Sequence, residues 1–363
     1  MKQSIELKKI GPTTWDERQS SKYIYMKIHI YGCGMSGVTA AILFKEQGHD
    51  VEIFEVRDHI AGNCYDVKND DGCTVHKYGS HIFHTNNEEV WTFLNRYTKF
   101  NSYEHRVRAN TKEGLLSIPF SKKTEEQLGR DLDPKEIQDL LFREYSERHW
   151  GIPWEQLPKS ISGRVPNKRD SHDDRYFTDK YQGIPEDGYT AMFKNMLDGI
   201  KVNLGAERGL HKRLKADLVV WTGKISEYFD LKFGHLPYRS LRFEHKRVEK
   251  DPLYTWDKGA VINECNTKPF NRTMDNSVYL NEDVTHTVHT RDFPEEYEVG
   301  KNDPIYPKTF GEGPKVYQTY LRAAEADQNT IFLGRLATYK YLDMWMAVQQ
   351  VMVKLRKSDK LNK

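Results

Sequence analysis

The sequence of 363 residues predicts an α/β protein with a Rossmann-like domain, a small helical domain and an antiparallel β-sheet domain. Three observations predict this class. Residues 26–55 read as a strand, a glycine-rich turn, a helix and a second strand. Residues 115–165 are polar with apolar residues at helical spacing, and residues 236–292 are strand-like runs interrupted by turns. A chain of this length suits two or three packed domains.

The glycine-rich turn, Gly-Cys-Gly-Met-Ser-Gly at residues 32–37, lies between the first strand and a helix with small residues on one face. This is the required context of a dinucleotide-binding fingerprint, whose glycines permit a tight turn and the close approach of a pyrophosphate. The helix N-terminus adds N–H donors and the positive end of its dipole. Glu55, about 20 residues further on, can accept a hydrogen bond from a ribose hydroxyl. The predicted contacts are Gly32, Gly34, Met35, Ser36, Gly37 and Glu55.

A second set of nucleotide contacts is predicted just after the second strand, at Arg57 and at the pair Gly62 and Asn63. In flavoproteins that bind both halves of a dinucleotide, the pyrophosphate is held from two sides in this way. The pattern favours FAD over NAD as the cofactor.

The composition argues against a nucleic-acid-binding protein and against a membrane protein. The formal net charge is +2, and Lys and Arg are spread along the chain rather than gathered in a basic stripe. No apolar run approaches the roughly 20 residues that a membrane-spanning helix needs. The cysteines form no Cys-x-x-Cys pair, so we interpret them as reduced thiols and expect a cytoplasmic protein. They are Cys33, Cys64, Cys73 and Cys265.

Three domains and one extension are expected along the chain. Residues 1–25 are polar and lack the apolar core of a signal peptide. In many FAD folds a late strand and helix return to the nucleotide domain, so that domain is expected to be discontinuous. The segments are 26–97, 190–235 and 312–357 for the FAD-binding domain, 115–165 for the helical domain, and 98–114, 166–189 and 236–311 for the antiparallel sheet domain.

Five blocks of the sequence resemble the UDP-galactopyranose mutase family, in that family's order. The resemblance runs from about residue 27 to residue 356, and several blocks are long and unlike any generic cofactor motif. The blocks are HIAGNCYD at 59–66, HKYGSHIFHTN at 76–86, RYFTDKYQGIPEDGYTAMF at 175–193, FGHLPYRSLRF at 233–243 and GRLATYKYLDM at 334–344.

The resemblance implies an isomerase that interconverts UDP-galactopyranose and UDP-galactofuranose. Members of the family bind FAD and work with the flavin reduced, yet perform no net redox reaction. The reduced flavin N5 forms a covalent adduct with the sugar, whose ring opens and recloses while UDP is held. We see no second fingerprint for a nicotinamide cofactor, so an external donor or free reduced nicotinamide is expected to reduce the flavin. The product would feed the biosynthesis of cell-surface glycans.

Candidate site residues carry over by their positions in the sequence. Arg164 and Arg272 match two arginines that clamp the diphosphate, a role that suits a planar, permanently charged guanidinium. Trp150 matches the tryptophan of a mobile loop that closes over the substrate. Outside such a context, a surface ion pair or core packing is the ordinary interpretation of an arginine or a tryptophan. The resemblance also implies phosphate donors at Tyr176, Tyr306 and Tyr341, uracil contacts at Phe142, Tyr145 and Asn263, and further cofactor contacts at Arg335, Tyr341, Asp343 and Met344.

Two histidines, His81 and His84, stand three residues apart, as two metal ligands on one helix face would. No set of Cys, His or carboxylate partners accompanies them, and the family is metal-free, so no metal site is predicted. His81 matches the family histidine placed over the flavin ring near N5, where an imidazole can respond to charge on the ring. His84 is expected either to orient His81 or to be a satisfied core histidine.

The chain departs from the family pattern in several places. Ala61 and Ala337 replace glycines, and Ala61 is expected to be tolerated if its φ is negative. Leu141 stands where an aromatic residue is usual. The region between Pro119 and Trp150 is short, and it often carries the dimer contact, so the oligomeric state stays open.

Three other interpretations remain open. The same chemistry could act on another UDP-sugar, such as UDP-arabinopyranose or UDP-N-acetylgalactosamine, because few residues that touch the sugar can be named. A flavin oxidoreductase of the amine-oxidase type shares the nucleotide fold, but its substrates need no pair of diphosphate-binding arginines. A non-catalytic binding relic would have little reason to retain the fingerprint, His81 and both arginines.

Overall fold

A computed structural model describes residues 25–163 and 167–357 of the chain. Arg164 and nearly all of the predicted N-terminal extension lie outside these described residues. Within the described ranges, no helix combines the length and apolar character needed to cross a membrane.

The Rossmann-like part is a five-stranded sheet in which every neighbouring pair is parallel. Its central strand has Ile28 and Ile30 wholly buried, as expected for a strand covered on both faces. The sheet draws strands from the beginning, the middle and the end of the chain. In spatial order they are β11 (Lys201–Asn203), β2 (Asp50–Phe54), β1 (Lys27–Tyr31), β12 (Leu218–Trp221) and β18 (Thr330–Phe332).

One face of this sheet is covered by helices that pack on each other. The helix α1 (Met35–Glu46) follows β1 and packs against α11 (Met344–Arg356). Val348, Val351 and Leu355 recur at helical spacing on α11 and are buried, which fixes the face that it presents to the core. The last helix of the described chain therefore packs on the first helix of the nucleotide fold.

The second large sheet has seven strands. Its strands are antiparallel to their neighbours except for one parallel pair, β6 with β14, so the expectation of a purely antiparallel sheet is corrected. The chain between these two strands passes through the whole helical region, and such a long connection permits parallel pairing. In spatial order the strands are β17 (Tyr306–Pro307), β13 (Tyr238–Glu249), β16 (His286–Glu296), β15 (Arg272–Asp275), β14 (Val261–Glu264), β6 (Val107–Thr111) and β7 (Gly114–Ile118).

The helical region follows β7 and has short helices instead of one long run. Asp133 caps the second of these helices, since its side chain accepts hydrogen bonds from the backbone N–H groups of Lys135 and Glu136 at 2.7 and 2.8 Å. At Phe142 the backbone turns to φ −137°, which ends one helix and starts the next. The helices are α3 (Lys122–Leu128), α4 (Pro134–Leu141), α5 (Arg143–Trp150) and α6 (Lys159–Ser162).

Smaller elements connect these layers. Three two-stranded sheets pair β3 (Asp66–Lys68) with β4 (Thr74–His76), β5 (Phe83–Thr85) with β10 (Tyr181–Gly183), and β8 (Phe120–Ser121) with β9 (Asn167–Lys168). The remaining helices are α2 (Glu88–Leu94), α7 (Tyr189–Met196), α8 (Ile225–Tyr228), α9 (Gly313–Ala326) and α10 (Gly334–Ala337).

Candidate functional site

The turn between β1 and α1 has the geometry that the glycine pattern predicts. Gly32 has φ +110°, and a Cβ atom there would lie 2.0 Å from Oγ1 of Thr222. A Cβ atom on Gly37 would lie 2.0 Å from the carbonyl oxygen of Gly32. These two glycines are therefore required by the close packing of helix against strand, before any ligand is considered.

The second glycine of the turn faces the second predicted motif. A Cβ atom on Gly62 would lie 3.0 Å from the Cα atom of Gly34, so the two backbones meet without side chains between them. Gly62 itself has φ +56° and begins a short 3-10 helix, Gly62–Cys64. This cradle of exposed backbone fits a pyrophosphate held from two sides.

Glu55 is fixed at the end of β2. Its carboxylate is buried and accepts hydrogen bonds from the backbone N–H groups of Cys33 and Arg57 at 2.7 and 2.9 Å. Each carboxylate oxygen keeps a further lone pair for a ligand hydroxyl. The guanidinium of Arg57 donates to Oδ1 of Asn63 at 2.9 Å and pairs with Asp303 at 2.9 Å, which links the two halves of the predicted cofactor site.

The start of α11 completes this part of the site. Asp343 occupies the N-cap position of α11, and Met344 begins the helix. The sulfur of Met344 lies 3.6 Å from Sγ of Cys64 in the 3-10 turn. Met35 and Ser36 are buried in the first turn of α1. The structure thus brings the predicted cofactor residues of three chain segments to one end of the parallel sheet.

Two predicted substrate-binding residues, Asn263 and Arg272, lie in one row across neighbouring strands of the seven-stranded sheet. Asn263 on β14 is opposite Arg272 on β15, and Arg272 is opposite Asp292 on β16. Nε of Arg272 donates to Oδ2 of Asp292 at 2.5 Å, and an Nη atom of Arg272 pairs with the same oxygen. Asp292 is wholly buried and Asn263 is nearly so. The arginine therefore has a carboxylate partner that the sequence did not reveal.

Buried rings surround Arg272. Burial is the main cause of the pKa shift of each ring, and the charge of Arg272 acts on all of them. For the histidines, burial lowers the pKa to about 3 and the arginine adds to this, so they are neutral at neutral pH. The rings are His81, His105, His149, Tyr145 and Tyr279.

The predicted tyrosines converge on the same place. Burial raises the pKa of Tyr145, and Tyr176 and Tyr306 are near enough to act on it as well. The rings of Tyr306 and Tyr341 are stacked, and the guanidinium carbon of Arg335 lies 5.3 Å from the centroid of each. Arg335, which is predicted to lie beside the cofactor, thus also contacts the predicted phosphate donors.

Two predicted residues lie in the helical region, and one prediction about them is corrected. Trp150 is the last residue of α5 and is buried, with its ring 5.5 Å from Phe310 and 6.3 Å from Tyr306. It is not part of a loop, because Gly151, at φ +70°, ends the helix only after it. Phe142 is buried where α4 meets α5.

His81 and His84 have separate partners. Nδ1 of His81 lies 2.9 Å from the carbonyl oxygen of Gly79. Nδ1 of His84, on β5, lies 2.8 Å from Oδ2 of Asp179, and its ring stacks on Phe177 with centroids 3.6 Å apart. The expectation that His84 orients His81 is not supported by these contacts, because Asp179 and Phe177 take its side chain. Neither histidine is on a helix, and the described residues contain no group of three or more potential ligands that could hold a metal ion.

Sequence reasoning missed several residues of this site. Asp292, His105 and His149 are buried around Arg272, and Arg239 donates to the backbone carbonyls of Arg148 and His149 at 3.1 and 2.7 Å. No local motif marks them, and the place of Asp292 beside Arg272 depends on the register of two strands. An alternation of polar and apolar residues along β16 is the sequence signal that would have placed the side chain of Asp292 on the same face of the sheet as Arg272.

A parallel sheet with a dinucleotide fingerprint, together with a second sheet that carries a half-buried arginine among tyrosines, defines an enzyme of the Rossmann-type flavoprotein class. The profile described as UDP-galactopyranose mutase matches residues 140–341, and the profile described as NAD(P)-binding Rossmann-like domain matches residues 30–97. The chain belongs to the UDP-galactopyranose mutase family, as its sequence blocks predicted, and the fold class is confirmed.

Curated relatives match over nearly their whole length. The dTDP-fucopyranose mutase of Escherichia coli is 33% identical over 367 residues, covering 89% of this chain and 96% of the relative. The probable UDP-galactopyranose mutase of Klebsiella pneumoniae is 32% identical over 365 residues, covering 90% and 92%. The chain is therefore a flavin-dependent mutase by family.

Solved structures show the same fold. The crystal structure of a reduced UDP-galactopyranose mutase matches with a TM-score of 0.72 at 14% identity, covering 93% of this chain and 96% of that one. A putrescine oxidase matches with a TM-score of 0.56 at 12% identity, covering 94% and 100%. The second likeness shows the fold alone and gives the amine-oxidase alternative no further support.

Proposed function

We propose that this protein interconverts UDP-galactopyranose and UDP-galactofuranose with reduced FAD bound. The observation that carries the proposal is the placement of Arg272 on the seven-stranded sheet, close to Tyr145, Tyr306 and His81. When bound and reduced, FAD would supply in N5 a nucleophile for the anomeric carbon, in exchange for the C1–O bond to UDP that breaks and later re-forms, with no net redox change. An external donor or free reduced nicotinamide would keep the flavin reduced.

The residues at the end of the parallel sheet fit the cofactor. The backbone of Gly34 and Gly62 forms the cradle for its pyrophosphate, and Glu55 offers free lone pairs to a ribose hydroxyl. Arg57 joins both motifs through Asn63 and brings positive charge toward the same place. Because the backbones of Gly34 and Gly62 meet without side chains between them, a pyrophosphate could bind there without displacing a side chain.

The residues around Arg272 fit the diphosphate of the substrate. The guanidinium binds the anionic group, and Tyr306 and Tyr341 donate hydroxyl hydrogen bonds to it, so that UDP stays in place while the sugar ring opens. Arg164, outside the described residues, is proposed as the second cation of this clamp. Trp150, which is buried, and the half-buried tyrosines beside it would keep bulk water from capturing the sugar.

His81 is proposed to accept a hydrogen bond at the reacting centre. Since its pKa is lowered to about 3 by burial, its imidazole is neutral at neutral pH. The nearby carbonyl oxygen of Gly79 can only accept a hydrogen bond, so Nδ1 carries the proton and Nε2 presents a lone pair. That nitrogen can accept a hydrogen bond from the reduced cofactor or from a sugar hydroxyl.

The likeness to the E. coli enzyme favours one second candidate, the interconversion of dTDP-fucopyranose and its furanose form. Both candidate substrates have a diphosphate between a nucleoside and a six-carbon sugar, so the same clamp serves either. They differ in the base, in the 2′-hydroxyl of the pentose and in the hydroxyl at carbon 6 of the hexose.

An anaerobic assay tests the function directly. UDP-galactopyranose, UDP-galactofuranose and dTDP-fucopyranose are each incubated with the FAD-loaded protein, with and without dithionite, and separated by chromatography. Interconversion of the UDP-galactose pair only after reduction is the expected result. Turnover of dTDP-fucopyranose in its place would establish the second candidate, and activity that does not depend on reduction would contradict both.

Arg272→Ala is expected to abolish turnover while FAD remains bound. The matched control is Arg242→Ala, at an exposed arginine on β13 that pairs with Glu244 and Glu295. Near-normal activity of Arg272→Ala would remove the clamp assignment.

A further inference from the structure

Asp292 is an unusual partner for a substrate-binding arginine. Its side chain is not exposed to solvent. One oxygen, Oδ2, accepts hydrogen bonds from both Nε and an Nη atom of Arg272. Among the residues that the structure describes, Oδ1 of Asp292 has no hydrogen-bond partner. A buried carboxylate that leaves one oxygen unpaired is costly, so its charge depends on Arg272 for compensation.

The geometry leaves part of the guanidinium free. An arginine has five N–H donors in a rigid fork, and two of them are used by Asp292. The other three point away from that carboxylate and are available to a diphosphate. Because Asp292 is on the neighbouring strand β16 and opposite Arg272, the direction of the fork is set by the sheet.

Among the residues that the structure describes, Asp292 is the carboxylate that acts on Arg272. The histidines near it are neutral at neutral pH, since burial lowers the pKa of His81, His105 and His149 to about 3. The tyrosines can accept a hydrogen bond but carry no charge at that pH. Without a fixed anion, a flexible arginine side chain would lose conformational freedom only when the substrate arrives, which weakens binding.

We propose that Asp292 is a positioning residue for diphosphate recognition, which acts through Arg272 by fixing its guanidinium before the substrate binds. The inference deepens the proposed function and rests on it. Asp292 touches no part of the nucleotide sugar, and its contribution exists only while Arg272 is present.

Binding of nucleotides to the FAD-loaded protein tests the proposal without any turnover. UDP, dTDP and UMP are titrated calorimetrically into the wild type and into Asp292→Asn, which keeps the shape of the side chain and removes its charge. UDP and dTDP are both expected to bind at least tenfold more weakly to the variant. UMP is expected to lose less, because it offers a single phosphate to the arginine.

A double-mutant cycle separates positioning from a merely structural role. In an Arg272→Gln background, adding Asp292→Asn is expected to change the dissociation constant of UDP by less than about twofold, since nothing remains to be positioned. Asp292→Glu restores the charge at a shifted position and is expected to fall between the wild type and Asp292→Asn. The control, Asp283→Asn, changes an exposed carboxylate and is expected to bind as the wild type does.

Two results would overturn the proposal. One is an unchanged affinity for UDP in folded, FAD-loaded Asp292→Asn, even if its unfolding midpoint is lower. The other is a loss of affinity that persists at full size in the Arg272→Gln background. A wild-type protein that binds neither UDP nor dTDP would overturn the proposed function as well, so the two failures are distinguishable.

Discussion

The phenol rings of Tyr306 and Tyr341 lie parallel, with centroids 5.4 Å apart and planes 7° apart. Arg335 holds them in this arrangement. Its two Nη atoms donate to the backbone carbonyls of Ile305 and Leu342 at 3.1 and 2.6 Å, and each carbonyl belongs to a residue next to one of the tyrosines. Its guanidinium carbon is equally distant from both ring centroids, at 5.3 Å. One arginine thus ties together two chain segments that are far apart in sequence.

Arg335→Lys is expected to weaken UDP binding by about tenfold, equivalent to about 1.4 kcal/mol. Lysine keeps the charge but lacks the fork that reaches two carbonyls at once. Titration of the FAD-loaded variant with UDP measures the effect, and the flavin absorbance per protein shows whether cofactor binding also depends on Arg335. Arg322→Lys, at an exposed arginine of α9, serves as the control. Normal UDP affinity with reduced FAD content would assign Arg335 to the cofactor instead.

The nucleotide fold could be predicted because its determinants are local. About 30 residues contain the turn with Gly32 and Gly37 and the strand on either side of it. The close contacts that exclude a Cβ atom are made within this unit or with Thr222, which packs beside it. The N-cap at Asp133 is equally local. For the sheet that carries Arg272, only the antiparallel type could be predicted. Its one parallel pair, β6 with β14, depends on the path of the chain between these two strands.

The environment of Arg272 could not be predicted from the sequence. Asp292 is 20 residues away along the chain and becomes a neighbour only through the register of two strands. A shift of that register by one residue would turn its side chain to the other face of the sheet. Trp150 shows the same limit, because a helix boundary one residue away decides whether it belongs to a loop or a helix.

Gly34→Val is expected to give a folded protein without flavin colour. A Cβ atom on Gly34 would lie 3.8 Å from the Cα atom of Gly62, an ordinary contact, so the fold tolerates a side chain there while the cradle for a pyrophosphate is filled. Gly37→Val is the contrast, because its Cβ atom would lie 2.0 Å from the carbonyl oxygen of Gly32 and the fold itself should fail. Circular dichroism and visible absorbance distinguish the two, and a yellow Gly34→Val protein would contradict the assigned cradle.

The free energy of unfolding is expected to fall as the pH is lowered from about 6.5 toward 3. Burial lowers the pKa of four histidines to about 3, so over this range the unfolded chain binds protons that the folded chain does not. Each group contributes a slope of up to about 1.4 kcal/mol per pH unit, with the folded state more stable at the higher pH. The four are His76, His81, His105 and His149.

Urea unfolding at several pH values measures this slope. His76→Phe keeps a ring on Tyr279, with which His76 now stacks at 4.7 Å, and should make the slope shallower by removing one titrating group. His172→Gln, at an exposed histidine beside Glu126, is the control and should leave the slope unchanged. Equal slopes in the wild type and His76→Phe would exclude His76 as a source of acid sensitivity.

Ala61 stands where the family has glycine. The sequence predicts that it is tolerated if its φ is negative, and the structure does not meet this condition. Its φ is +72°, in the left-handed region that costs an L-residue about 1–2 kcal/mol, and its side chain is wholly buried. Ala337 replaces a glycine as well, but it lies in α10, where no such cost arises. Substitution by glycine is therefore expected to change the free energy of unfolding in opposite directions at the two positions.

Ala61→Gly is expected to raise the free energy of unfolding by up to about 1 kcal/mol. Relief of the left-handed backbone gives about 1–2 kcal/mol, and loss of a buried methyl group removes about 0.8 kcal/mol of it. Ala337→Gly loses its methyl group and gains backbone freedom in the unfolded chain, so it should lower the stability by about 1–2 kcal/mol. Urea unfolding of the FAD-loaded proteins checks both signs. A destabilised Ala61→Gly protein would show that the methyl group of Ala61 contributes more to packing than its backbone conformation costs.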